Sequence, residues 1–152
     1  MTPAHLIEEL AAAIREALSE VKMPLEYMKE AADFVAVNVF CNYLPENLFE
    51  NTSYYPCVVV ELVGVEDDLK TDSTIEVALS IGTFALEDDG WKDAWHILEL
   101  IRNRLLSRRV LAKKFRLKEM KWEAPTEQPR EFYFLLGELK YAAYLTQEAF
   151  VC

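Results

Sequence analysis

STIEVALSIGTFALEDDGWKDAW (73–95) changes its hydrophobic period part-way along. Ile75, Val77, Leu79 and Ile81 alternate with Glu76, Ala78, Ser80 and Gly82, the period of two expected of a strand with one buried face. From Trp91 onward Trp91, Trp95, Leu98, Ile101 and Leu105 recur near 3.6 residues, which predicts a helix over 89–107 whose buried stripe opens with the two tryptophans. A strand that feeds straight into an amphipathic helix puts a sheet layer against a helix layer.

The acidic turn between them has two readings. Glu87, Asp88 and Asp89 are carboxylates that could serve a metal, and Asp88 or Asp89 is equally a cap for the free amides of the helix, a role worth about 0.5 to 2 kcal/mol. A second triplet, Glu66-Asp67-Asp68, lies at the other end of the strand. Twelve extended residues span roughly 40 Å, so the triplets cannot share one ion, and neither has the alternating spacing and distal glutamate of a calcium loop. Capping and solvated turns account for these residues without a metal.

The rest of the chain extends the same two layers. Thr2-Pro3 is a helix start, and Leu6, Leu10, Ile14, Leu18 and Val21 keep one apolar face up to Pro24. FVAVNVF (34–40) and CVVVELV (57–63) read as strands, the second apolar on both faces and therefore central. Between them NYLPENLFENTSYYP (42–56) has no period and reads as a long loop with exposed aromatics. After the second helix, FRLKEMKW (115–122) shifts its apolar phase, as a bulge between 117 and 120 produces. FYFLLGELKYAAYL (132–145) is a closing strand with Leu135, Leu139, Tyr141 and Ala143 in register. The expectation is one α+β domain over 1–152, with an N-terminal helix at 1–24 and a sheet over 34–146 containing helix 89–107. The element order is α-β-β-β-α-β-β, a mainly antiparallel sheet of four to five strands packed on one face by two helices.

At 152 residues and 52% apolar content the chain suffices for one such core. No run is apolar enough for a membrane span, and Glu8, Glu9, Glu16 and Glu20 oppose a signal peptide, so a cytosolic protein is expected. Cys41, Cys57 and Cys152 are too scattered for a zinc site, and the first two read as small strand hydrophobes. His5 and His96 have no partner at ligand spacing. There is no GxSxG, Walker loop, GxGxxG or HExxH, and four glycines leave little for a phosphate cradle. No enzyme, cofactor or small-molecule substrate is therefore expected.

Charge is the informative feature. The net charge of −10 opposes non-specific nucleic-acid binding. The window from Arg102 to Lys121 nevertheless holds nine of the sixteen basic residues and one acid, Glu119, for a balance of +8 against −18 in the remainder. Its exposed candidates are Arg102, Arg108, Arg109, Lys113, Lys114 and Arg116. They suit a nucleic-acid patch, the acidic face of a neighbouring copy in a head-to-tail ring, or simply a solvated helix end.

Four segments together, NVFCNYLPEN, YPCVVVELVGVEDD, STIEVALSIGTFALEDDGWKDAWHILELIRNRLL and KWEAPTEQPREFYFLLGELKYAA, resemble tail-completion or tail-terminator proteins. Those proteins are encoded in the head-to-tail module of long-tailed bacteriophages and prophages of Gram-positive bacteria. The resemblance covers about residues 34 to 145 and departs at Arg130-Glu131, where similar sequences carry an aromatic-proline pair. It implies a hexameric ring in the virion, assembled in the host cytoplasm. The ring would cap the tail tube, contact the major tail-tube protein and a head-completion or connector protein, and let DNA pass through its lumen. Tyr43, Phe49, Tyr54 and Tyr55 are then a loop that docks on a partner. Two other functions are weighed beside it: an acidic DNA mimic that inhibits a nuclease, and a metal-dependent enzyme built on the triplets.

Overall fold

The computed structural model describes residues 2–20, 37–42, 54–70, 72–85, 90–129 and 131–144. In chain order these form α1 (Pro3–Glu20), β1 (Asn38–Cys41), β2 (Cys57–Asp67), β3 (Asp72–Phe84), α2 (Gly90–Ser107), β4 (Val110–Leu111), β5 (Phe115–Glu123) and β6 (Phe132–Tyr144). The strands make one six-stranded sheet in the order β1-β2-β3-β6-β5-β4.

Two features differ from the expected four to five antiparallel strands. β1 runs parallel to β2, Asn38 facing Cys57 and Cys41 facing Val60. Parallel neighbours need a crossover of a dozen or more residues, and β1 ends at Cys41 while β2 begins only at Cys57. β4 adds a sixth strand of two residues, opposite Phe115 and Arg116 of β5, too short to leave a periodic signal among its basic neighbours. The bulge in β5 falls between Leu117 and Glu119, inside the interval marked by the phase shift. β6 starts at Phe132 despite the departure at Arg130-Glu131, with Glu131 in the left-handed region (φ 72) and its carbonyl accepting Ala85 N at 2.8 Å.

The helices cover one face of the sheet. α2 lies over β3 and β6, and α1 packs on α2 and over β1, β2 and the edge at β4. The core between the layers joins Leu6, Leu10 and Ile14 of α1, Ile97, Ile101 and Leu105 of α2, and Val58, Ile75, Val77, Leu79, Ile81, Leu135, Leu139 and Tyr141 of the sheet. The stripe on α2 is Ala94, Ile97, Leu98, Ile101 and Leu105, which corrects the expected phase: Trp91 and Trp95 are 48% and 40% exposed. Fully buried Ala94 occupies the inward position, so the tryptophans flank the seam. Trp95 Nε1 donates to the Tyr133 hydroxyl at 3.2 Å, and the Lys92 ammonium lies 5.8 Å from the Trp91 ring centre. At the strand-to-helix junction, buried Thr83 donates its hydroxyl to the Gly90 carbonyl at 2.8 Å. The proposed caps Asp88 and Asp89 lie outside the described residues. Asp93, only 4% exposed, is a buried carboxylate in the first turn of α2, where the helix dipole favours negative charge.

α1 and α2 are also tied electrostatically. Glu16 accepts two hydrogen bonds from Arg108, at 2.9 and 3.2 Å, and lies 3.3 Å from Arg104. The hydrogen bond and charge of Arg108 hold its carboxyl below the usual glutamate range, with Arg104 assisting. A folded-state pKa that is depressed contributes stability at pH above the unfolded value and loses it as pH falls through the folded one. Glu16→Gln is therefore expected to lower the urea midpoint at pH 7. The gap to the parent should narrow as the pH drops below the ordinary glutamate range, and a gap independent of pH would exclude this linkage.

Candidate assembly surface

The topology brings four features to one end of the sheet: the β2–β3 turn, the C-terminal ends of α2 and β6, and the β4–β5 corner. Laterally the first and last are apart. β2 lies three strands from β5 and four from β4, roughly 14 to 19 Å at the usual inter-strand spacing.

The corner carries the basic window. Lys113 and Lys114 sit in the three-residue loop between the paired Leu111 and Phe115, and Arg116 pairs with Val110. Leu117 N bonds Arg109 O at 2.7 Å and Lys114 N bonds Leu111 O at 3.1 Å, fixing the loop. Ala112 and Lys113 both adopt left-handed backbone (φ 53 and 61), which hairpin turns normally reserve for Asn and Gly. Holding such residues there costs on the order of 1 to 2 kcal/mol each.

The six basic candidates separate into two groups. Arg108 is engaged by Glu16, and Arg102 sits on α2 beside Glu99 at 3.4 Å. Arg109, Lys113, Lys114 and Arg116 are exposed, and none forms an ion pair with a carboxylate among the described residues. Four of the six thus form a free cationic corner, and the other two have partners within the chain.

The opposite edge is acidic and apolar. Beyond Leu62, whose amide bonds Asn42 Oδ1 at 2.8 Å, β2 has no outer neighbour among the described residues. A bulge lies between Leu62 and Gly64. The strand then runs through exposed Val63, Val65, Glu66 and Asp67 to a turn at Asp68, Leu69 and Lys70. Asp68 Oδ1 accepts Lys70 N at 2.7 Å and Asp72 N at 3.2 Å, and Ser73 donates to Asp67. This apolar content was not anticipated, because Val65 and Leu69 sit singly among polar residues in GVEDDLKTDS.

Of the four expected docking residues, Tyr54 and Tyr55 are among the described ones. Tyr43 and Phe49 lie outside the described residues. Tyr54 is half-buried with its ring 6.0 Å from Phe40, and Asn38 Nδ2 donates to its carbonyl at 3.0 Å. Tyr55 is 3% exposed, so it is not an exposed docking residue. Its ring lies 5.0 Å from Phe132 and 6.1 Å from Phe134, on the sheet face away from the helices, above Gly82.

The remaining described candidates include Cys57, His5 and His96. Burial pushes the Cys57 thiol up to about 11, against a weaker opposing pull from a backbone hydrogen bond with Gly82, so the thiolate nucleophile is scarce near neutrality. His5 lies near Glu8 and Glu9 on the same helix, and His96 is exposed. Among the described residues no three His, Cys, Asp or Glu are grouped to hold a metal, and no helix there is long and apolar enough to cross a membrane.

No family model matches the chain, and no curated protein does. Among solved structures it is similar to a chain of the "Virion of native gene transfer agent (GTA) particle", at 16% identity and a TM-score of 0.43, over 90% of this chain and 94% of that one.

Proposed function

We propose that this protein is a structural virion-assembly protein that forms a homo-oligomeric ring, a hexamer, at the end of a phage tail tube. There it ends tube polymerisation and offers the surface on which the head joins. One observation carries the reading: a single sheet bears a free cationic corner on one lateral edge and an acidic, partly apolar turn on the other. Unlike complementary surfaces on opposite sides of a protomer are what a closed head-to-tail ring requires. The sequence resemblance over about 34 to 145 supplies the specific role, the tail-tube protein and the connector as partners, and the virion as location.

The DNA-mimic reading needs an unbroken row of exposed carboxylates. On the sheet face away from the helices Lys140 pairs with Glu119 at 3.4 Å, and Lys121 stands opposite Glu138, so cations interrupt the row. Sedimentation velocity tests the proposal over a range of concentrations, alone and with the cognate tail-tube protein. A hexamer is expected, formed alone or on the tube. A protein that stays monomeric and inert toward tube subunits overturns it.

A further inference from the structure

We infer that the β2–β3 turn of one copy docks on the β4–β5 corner of the next, so that this pair of surfaces is the repeating contact of the ring. The inference rests on the ring reading above and assigns its interface.

The two surfaces match in chemistry. The turn presents Glu66 and Asp67 around Val63, Val65 and Leu69, which are 61%, 46% and 84% exposed. The corner presents Arg109, Lys113, Lys114 and Arg116 around Val110, 54% exposed. Each therefore combines exposed apolar and charged side chains, with charge of opposite sign to the other's, the composition of a specific protein contact. Lys70 is the one cation of the turn, and its amide is held by Asp68.

They cannot satisfy each other within one chain. The separation of roughly 14 to 19 Å is too wide for an ion pair, and Glu16 of α1 is engaged by Arg104 and Arg108, outside the corner's four cations. Both surfaces also hold residues in conformations that local preference opposes. Leu69, a bulky side chain, is left-handed (φ 62) and almost fully exposed, and Lys113 is left-handed at the tip of the corner. Neither burial nor backbone preference within the monomer rewards these placements, whereas a contact between copies covers Leu69 and neutralises Lys113.

A charge exchange tests the contact. Glu66→Lys/Leu69→Lys places cations at two exposed positions of the turn while keeping the bonds of Asp68 and the Asp67–Ser73 pair, and Lys113→Glu/Lys114→Glu places anions at the tip of the corner. Assembly of the parent, followed by sedimentation velocity with tail-tube protein where needed, is expected to weaken as salt rises. Each double variant alone should assemble at least about tenfold more weakly, because like charges then face each other. Mixing the two variants should restore assembly as an alternating ring, and a chain carrying all four substitutions should assemble by itself. Variants that assemble like the parent overturn the assigned interface and leave the ring reading standing. Loss in both variants without recovery on mixing or exchange also overturns it, since the surfaces then meet other partners. A parent that never assembles overturns both.

Discussion

Tyr55→Ala is expected to destabilise the protein by about 3 kcal/mol, the order seen when a buried aromatic is truncated. The ring is 3% exposed and is held by Phe132 and Phe134, with Phe132 in turn 5.1 Å from Phe84. This cluster is a second, smaller core on the sheet face that the helices leave uncovered. Gly82 makes room for it: a Cβ there would come within 2.9 Å of both Tyr55 and Phe134. Loss of the ring leaves a hole bounded by strands on one side, which cannot collapse freely, so the cost approaches the full cavity penalty. Urea unfolding of the purified variant measures it. A variant as stable as the parent but unable to join tails would return Tyr55 to the docking role expected from its sequence context and sink the structural one.

The fate of Tyr55 shows where the sequence is legible. Strand β3 and the inward residues of β6 can be read because one face is buried along most of their length, so burial imprints a strict alternation. The β5 bulge can be read for the same reason, since an inserted residue inverts the alternation. Tyr55 and Tyr54 are neighbours in an aperiodic loop, and only the position of β6 decides that one is enclosed and the other half open. Trp91 and Trp95 mislead differently: their spacing is helical, yet the seam passes through Ala94, whose small side chain has little weight in a pattern of large apolar residues.

The candidate surface is legible as a sum and not as a map. The basic window stands out in the sequence, but the pairing of Arg108 with Glu16 spans 92 positions and follows from the packing of α1 on α2. The placement of acidic turn and basic corner on opposite lateral edges follows from the strand order, in which β6 inserts beside β3. The glutamine of the EQP turn, visible first only as part of a resemblance, has a physical task. Gln128 accepts from Phe134 N at 2.8 Å and donates to Phe134 O at 2.9 Å, bonding the start of β6 as a neighbouring strand would.

Gly137→Val is expected to cost about 1 to 3 kcal/mol, the range for forcing extra volume into a packed site. Gly137 stands opposite Trp122 across β5 and β6, and a Cβ there would fall 2.3 Å from the indole Cζ3 and 2.5 Å from Cε3. Neither atom can share that space, so the indole must leave the backbone of β6 and lose its packing against the core. Trp122 is half-buried near one edge of the sheet and has somewhere to go, so partial loss is expected in place of unfolding. The effect should also be coupled. With Trp122→Ala the valine meets a vacated site, so the double variant should be less destabilised than the sum of the singles, by an interaction energy of about 1 kcal/mol or more. Additive losses in urea unfolding would mean that Gly137 is required for a reason other than the ring lying on it.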